Sequence, residues 1–422
     1  MRRTIWLAVA LAAACGGSSP PPEGEAPVSV EDAAGCRDGG KPGAAGLRVM
    51  SRNLYLGAEI TAVATAQTPE ELVAAATKAW HTVRATHFPA RAEAIAAEVE
   101  ATRPDVIGLQ EVTTWRLGAP AVCGGADPSK PTAAEVAYDW LEILQRALHR
   151  RGLDYEVVAQ ATTMDVELCM GRLEEPETLR DLRYTDREVL LVRRGVAWRA
   201  PLLPPLDPPI PPGPGDSNGG VFAATAPDGT TPATACFAVG GAQVCSWRGW
   251  VATEVRHDGG WARVFSTHLE DWLDGLPEGV PPWIFQAFQA TELVGIAGGL
   301  WASEETRLPT LAVGDMNAYA TPAESPPVYA YLTGGDSPLD PSLDGTSPFG
   351  DAWTALRHGQ PGFTWGFEEL LYGGKLTTRL DLLLATPDVE PLAIGRVGVR
   401  DRAWTGQHPS DHAGLVGAFG IP

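Results

Sequence analysis

The stretch Leu311-Ala312-Val313-Gly314-Asp315-Met316-Asn317 constrains this chain more than any other. An apolar run of strand type ends in glycine, and then a carboxylate and an amide stand two positions apart. Alternate residues of a strand point the same way. Asp315 and Asn317 are therefore expected to reach one spot just past the strand's end, where such a pair can hold water and donate to a phosphate oxygen. Asp and Asn also close strands because they suit turns, so one strand end decides little. Five other strand-like stretches, however, carry polar residues of the same kind at an end. They present Asn53, Glu111, His268, Asp381 and the turn Ser410-Asp411-His412.

The chain has 422 residues, 32 basic and 52 acidic, for a net charge of −20. That balance weighs against tight non-specific binding to nucleic acid or to an anionic membrane. It leaves open a nuclease that holds its substrate partly through metal ions. Met1-Arg2-Arg3 followed by the apolar Thr4 to Ala14 reads as an export signal, too short to span a bilayer permanently. Ala12-Ala13-Ala14-Cys15 resembles a bacterial lipobox, with Ala12 where Leu is usual, so Cys15 is the expected lipidation site. The alternative is ordinary cleavage after an A-x-A site. Residues 16–46, rich in Gly, Pro, Ser and Ala, are expected to form a disordered tether, and 47–422 a single domain. Cys236 and Cys245 flank Gly240-Gly241, a hairpin turn, and form the expected disulfide of an exported chain. Cys123 with Cys169 is a second pairing, which leaves Cys36 over. No Cys-x-x-Cys spacing suggests zinc.

Strands are expected at Leu47–Tyr55, Asp105–Val112, Tyr155–Ala161, Arg187–Gly195, Leu311–Asn317, Thr377–Ala385 and Gly414–Phe419. Trp250–His257 and Trp261–Leu269 read as a hairpin around Asp258-Gly259-Gly260. A helix starts at Thr68-Pro69-Glu70-Glu71, with a Thr cap, Pro at the first position and Glu at the third. Further helices are expected at Pro89–Ala101, Thr132–Arg151 and Pro282–Trp301. The Pro/Gly-dense stretches 201–220 and 321–350 read as long loop insertions. Hairpins alternating with single helices fit an α+β fold in which helices cover two packed sheets.

These strand-end residues are what a metal-assisted phosphoester hydrolase needs. Mg²⁺, Mn²⁺ or Ca²⁺ takes oxygen ligands; Glu111 is a natural first ligand, with Asn53 and Asp411 beside it. A glutamate after a strand is, however, most often a solvated turn residue. Asp381 sits in Leu380-Asp381-Leu382-Leu383-Leu384, where a carboxylate is costly unless paired, and His412 is the partner that would make it a base. His268 is a second donor for phosphoryl oxygens.

The set resembles the endonuclease/exonuclease/phosphatase superfamily, the deoxyribonuclease I-like fold. The matching pieces are Arg52-Asn53-Leu54, Leu109-Gln110-Glu111-Val112, Ser266-Thr267-His268-Leu269, Gly314-Asp315-Met316-Asn317, Arg379-Leu380-Asp381 and Ser410-Asp411-His412, in the family's order. The resemblance implies a four-layer α/β/β/α sandwich of two packed, mainly antiparallel sheets flanked by helices, with the site at one edge of both sheets. It implies that Glu111 binds the catalytic metal, supported by Asn53 and Asp411. It gives Asp315 and Asn317 the nucleophile and phosphate to orient, Asp381 the orientation of the base His412, and His268 a share in binding or protonating phosphate. Abasic-site nucleases of the superfamily often carry an acidic residue where Tyr55 stands here, and tend to lack a motif like Thr267-His268-Leu269. A DNA-repair role is therefore not expected.

The expectation is an exported, monomeric metal-dependent phosphoesterase, tethered to a membrane and facing the periplasm or exterior. Nucleic acid, a phospholipid such as sphingomyelin, and a small phosphate ester compete as substrates, with a nuclease-type activity leading. A lipid substrate calls for exposed aromatics near the His268 strand, where Trp272, Trp283 and Phe285 are candidates. A binding protein on a dead catalytic fold is the reading of another class; the filled catalytic positions argue against it.

Overall fold

The computed structural model describes residues 31–34, 46–119, 131–171, 178–203, 213–223, 235–239, 242–273, 276, 278–320 and 326–422. The strand Leu47–Asn53 shows how the architecture arises. Leu47 and Val49 pack into one apolar cluster and Met50 into another. The strand is buried on both faces, so each face needs its own cover.

Leu47–Asn53 belongs to a nine-stranded sheet with the spatial order 31–34, 390–397, 414–420, 47–53, 106–110, 180–193, 114–117, 135–139; strand Tyr155–Met170 pairs with Arg180–Arg193 off this path. A seven-stranded sheet runs 350–351, 381–385, 310–315, 260–268, 249–257, 198–199, with Gly219–Val221 pairing Gly249–His257. Two contacts are parallel, Leu47–Asn53 with Val106–Gln110 and Gly260–His268 with Thr310–Asp315; the other ladders in both sheets are antiparallel. Leu47, Val49, Val106 and Leu190 of the first sheet meet Val251, Val264, Val313 and Leu383 of the second in the middle of the sandwich. The outer face of the first sheet packs under helices Pro69–Ala85, Phe88–Thr102 and Trp140–Arg150. The outer face of the second packs under Ile284–Leu293, its continuation to Ala302, and Pro327–Leu332. This is the four-layer α/β/β/α sandwich expected from the sequence.

Several elements differ from expectation. Glu135–Asp139 is a strand beside Thr114–Leu117, and the helix starts only at Trp140. Asp139 explains the boundary, since its carboxylate accepts from the amides of Leu141 and Glu142 and caps the helix there. Tyr155–Met170 and Arg180–Arg193 run far beyond their expected ends as one long ladder. Their outer parts pair through polar residues such as Arg183 and Asp165, which an apolar pattern does not register. The expected strand Thr377–Ala385 is two, Gly374–Thr378 and Asp381–Ala385, in different sheets. The 321–350 insertion holds the helix Pro327–Leu332 and a 3₁₀ turn at Pro341–Leu343, each opened by proline. Its residues 321–325, like 204–212 of the other insertion, lie outside the described residues. Within the expected tether, Glu31–Ala34 pairs with the edge strand Glu390–Val397; an edge strand's unpaired backbone accepts any extended segment. The rest of 16–45, with Cys15 and Cys36, is outside the described residues.

Candidate active site

Strand alternation carries the polar residues into the gap between the sheets. Along the first strand Leu47, Val49, Ser51 and Asn53 face inward, so the interior changes from apolar to polar toward its C-terminal end. Val106, Gly108 and Gln110 repeat the pattern next door. Gly108 is required there, because a Cβ would lie 2.5 Å from Ser266 Oγ of the opposite sheet. Gln110 Nε2 donates to that hydroxyl at 2.9 Å and stitches the sheets together. In the second sheet His268, Asp315 and Asp381 stand in one row across three adjacent strands. His412 closes the group just before the strand Gly414–Gly420.

The contacts are direct. His412 Nδ1 lies 2.8 Å from Asp381 Oδ2. Its Nε2 lies 3.6 Å from Asp315 Oδ2, and His268 Nε2 lies 3.5 Å from the same oxygen. The Asn53 amide donates at 3.0 Å both to Asp315 Oδ2 and to Glu111 Oε1, while its oxygen accepts from the Tyr55 amide at 2.8 Å. Glu111 Oε2 accepts from the Leu56 amide at 2.5 Å. Asn317 donates to the Leu269 carbonyl at 2.9 Å and stands 3.3 Å from His268 Nε2. Extended geometry does not bring Asn317 to Asp315, as the sequence suggested. Asn317 is left-handed at φ 47°, and its amide donates to Asp315 Oδ1 at 3.1 Å in a tight turn. Glu111, Tyr55 and Tyr319 are left-handed too. Such backbone is uncommon outside glycine and gathers at functional sites.

Burial sets the electrostatics. Burial first, then the Asp411 and Asp186 carboxylates, pushes Glu111 up to about 8. Burial likewise raises Asp411, and lifts Asp315 to about 6. Burial alone would lower His412, but Asp381, Asp315 and Asp411 outweigh it and hold the imidazolium well above its ordinary range. His268 goes the other way: burial, Arg248 and His412 keep it neutral.

Sequence reasoning missed a second layer of this site. The Arg248 guanidinium lies 3.1 Å from the His268 ring and donates to Glu270 Oε1 at 2.8 Å. Buried Asp186 and Glu188 stand on the strand Arg180–Arg193, and Glu188 comes within 3.9 Å of His268. Burial lifts Asp186 to about 6 and Glu188 well above its usual range. Glu270 directly follows Thr267-His268-Leu269, and its adjacency was the available signal. Arg248 precedes an apolar strand, and nothing in its neighbours marks it.

Two positions could hold a cation. Asp315, Asp381 and His412 offer ligand atoms within 4.8 Å of one another. There, however, the His412–Asp381 hydrogen bond already engages Asp381 Oδ2 and His412 Nδ1, although Asp381 Oδ1 is buried without a partner among the described residues. Glu111 and Asp411 fit better: the Asp411 carboxylate raises Glu111, and neither has a cationic side chain bonded to it among the described residues. An all-oxygen donor set suits a hard divalent ion. Asn53 would complete it only partly, since its oxygen already accepts from Tyr55.

Buried arginines hold the surrounding loops. Arg91 donates to the carbonyls of Leu54 at 2.6 Å, Thr86 at 2.9 Å, Pro409 at 3.0 Å and Tyr55 at 3.2 Å. It thereby ties the loop after Asn53 to the one before Asp411. Arg52 is paired with Glu98 by two 3.0 Å contacts and donates to the His412 carbonyl at 2.6 Å. Cys236 and Cys245 stand directly opposite in the ladder of Ala235–Val239 and Ala242–Ser246, a spacing that a disulfide can bridge. Cys169 is disulfide-bonded, and Cys123 lies outside the described residues.

A two-sheet sandwich with carboxylates, an imidazole dyad and an asparagine at one edge defines the class of protein. The chain belongs to the Endonuclease/Exonuclease/phosphatase family, whose model matches residues 79–412; its members hydrolyse phosphoester bonds. Asn53 precedes the matched stretch, so its place in the site rests on the geometry alone. No curated protein matches the chain. Among solved structures it is similar to an endonuclease/exonuclease/phosphatase family protein from Leptotrichia buccalis, at 11% identity over 89% of this chain and 100% of that one, TM-score 0.47. It is similar to mannosyl-6-phosphatase from Bacteroides thetaiotaomicron, at 14% identity over 89% and 100%, TM-score 0.45. It is also similar to the human Nocturnin catalytic domain with bound sulfate, at 16% identity over 93% and 97%, TM-score 0.45. At such identities and scores these likenesses assign no substrate.

Proposed function

We propose that this chain is an exported, divalent-metal-dependent phosphodiesterase of nuclease type. The observation that carries the reading is the meeting of two half-buried carboxylates that lack a bonded cation, Glu111 and Asp411, with the buried row Asp381, His412, Asp315 and His268. Glu111 and Asp411, with Asn53 beside them, would hold the ion, which when bound neutralises phosphate charge and polarises the P–O bond. Asp381 fixes the imidazole of His412; the charge of a bound ion would offset the carboxylates that keep the ring protonated, and the neutral ring would take a proton from a water aligned by Asp315. The water oxygen adds to phosphorus, the ester P–O bond breaks, and the alcohol leaves. Neutral His268, Asn317 and Arg248 donate to the phosphoryl oxygens.

Aromatic side chains flank the mouth. The backbone of Trp365 bridges to that of His412, and Trp272 packs against Tyr319 with ring centres 4.6 Å apart and planes tilted by 37°. Unstacked bases rest on such faces, which favours single-stranded nucleic acid in a chain too acidic to grip long duplexes. A specific observation keeps a phospholipid second. Trp365, Leu370 and Tyr372, all exposed, stand together at the hairpin of Trp365–Phe367 and Gly374–Thr378, and not on the helix that carries the half-buried Phe285. Purified protein should be assayed with Mg²⁺, Mn²⁺ and Ca²⁺ against plasmid DNA, RNA, sphingomyelin and bis-p-nitrophenyl phosphate. We expect chelator-sensitive cleavage of the chromogenic diester and of nucleic acid. Preference for sphingomyelin selects the second reading, and inertness toward all four rejects both. Anchoring through Cys15 is proposed from the sequence alone. Cys15→Ser should release the protein from membranes or block its processing, and an unchanged membrane-bound, processed form rejects it.

A further inference from the structure

The end of the sandwich opposite the candidate active site holds a cavity of about 790 Å³. Its walls include Arg48, Arg103, Arg193 and Arg256, with Asp105 and Asp258. Arg48 is the second residue of the strand that ends at Asn53, roughly 17 Å away at the rise of a strand. Arg256 lies at the turn of the hairpin whose far end carries His268. The cavity therefore straddles both sheets and shares no residue with the candidate active site.

Its charge is unlike the rest of the molecule. Four guanidinium groups face two carboxylates here, in a chain of 32 basic and 52 acidic residues. The two carboxylates are already taken, Asp105 by Arg193 and Asp258 by His257 at 3.2 Å. Arg103 Nε donates to the Glu100 carbonyl at 3.0 Å, and its Nη2 lies 3.9 Å from the Glu100 carboxylate. The Arg48 side chain makes a single 3.5 Å contact with the Thr102 carbonyl. Arg256 is exposed, and among the described residues its side chain has no hydrogen-bond or ion-pair partner. Arg193 Nε is buried without an acceptor. Several guanidinium forks around one hollow, with donors to spare, match the oxygens of a phosphate.

We propose that this cavity is a second anion site that binds a phosphate group, carried by a free polyphosphate or by a lipid headgroup. The site does not depend on the catalytic reading.

The test uses the full chain in chelator and compares it with the double variant Arg48→Ala/Arg256→Ala, both positions being exposed. Calorimetric titration with inorganic pyrophosphate reads the free-anion arm; flotation with phosphatidylglycerol against phosphatidylcholine vesicles reads the lipid arm. At least one probe should bind the parent, and the double variant should weaken it by ~10-fold or more, the loss of a charge-assisted contact. His412→Ala should leave that binding intact, which separates it from anion binding at the active site. Pyrophosphate binding alone identifies a soluble ligand, and phosphatidylglycerol binding alone a headgroup. Equal affinity in parent and double variant, or binding of neither probe by the parent, overturns the proposal. Hydrolysis of bis-p-nitrophenyl phosphate should stay within about two-fold in the double variant, since the site lies at the far end. Failure of the catalytic reading would instead remove hydrolysis and leave anion binding in place.

Discussion

If Asp381 acts only by holding His412, its loss should cost nothing once His412 is gone. The two groups are buried and 2.8 Å apart. A hydrogen bond to a charged partner is worth about 1.5–3 kcal/mol, and each ~1.4 kcal/mol on a barrier is a factor of ten. Asp381→Asn keeps the shape and weakens that bond, so kcat should fall roughly 10- to 100-fold. His412→Ala removes the base itself, and general-base catalysis is worth about 10²–10⁴. Independent contributions would multiply in the double variant. A dyad should leave the double variant near His412→Ala alone, a coupling of about 1.5–3 kcal/mol.

The same variants separate the two candidate ion positions. With the ion at Glu111 and Asp411, Asp381→Asn should leave the Mg²⁺ concentration for half-maximal activity nearly unchanged. With the ion at Asp315, Asp381 and His412, that concentration should rise steeply. The assay is kcat on bis-p-nitrophenyl phosphate across a Mg²⁺ series, with circular dichroism to confirm folding. Multiplied losses in the double variant, or a large shift in Mg²⁺ requirement for Asp381→Asn, would refute the dyad.

Three further outcomes are expected. EDTA should abolish hydrolysis and Mg²⁺ or Mn²⁺ restore it, and Glu111→Gln should raise the metal requirement by at least ~10-fold; activity in chelator, or rescue by Zn²⁺ alone, counts against this. Arg91→Met should leave four buried carbonyls without their donor. At about 1–3 kcal/mol for each unsatisfied group, urea denaturation should show a loss of ~4 kcal/mol or more, and a loss under about 1 kcal/mol would mean that water or backbone replaces the guanidinium. His408 is stacked on Phe367, accepts from Arg402 at 2.7 Å, and is held by burial first and then Arg402 at about 3 against an ordinary 6.5. A depressed imidazole favours the folded state fully above the unfolded value, and that stability is lost as pH falls from 6.5 toward 3. Relative to the parent, His408→Phe should lose less stability between neutral pH and pH 4, by at most ~3 kcal/mol; parallel curves would show that His408 does not titrate there.

What the sequence could reveal depended on the range of the physics involved. Asn53, Glu111, His268, Asp315, Asp381 and His412 were legible because strand alternation is local, and each marks the polar end of an apolar run. Asp381 was the clearest, since a carboxylate among leucines has to find a partner. Asn317 was found for an inadequate reason: the left-handed turn that brings it back to Asp315 cannot be read from alternation. Asp186 was hidden because its strand was expected to begin at Arg187, and the burial of both Asp186 and Glu188 depends on the long ladder with Tyr155–Met170. Arg52, Arg91 and Arg248 show the deeper limit. In sequence each is one more basic residue, and surface exposure is the ordinary fate of arginine. Here Arg91 stands on the buried face of the helix Phe88–Thr102, and its four acceptors come from segments as far apart as Leu54 and Pro409. The Arg52 pairing with Glu98 exists only because the helix Phe88–Thr102 lies across the strand's outer face. A buried cation is tolerated only where its acceptors converge, and that convergence is a property of the assembled sandwich. The strand ends present the chemistry, and the buried arginines hold the strand ends in register, so variants of Arg52 and Arg91 should disable the site while leaving every residue that touches substrate intact.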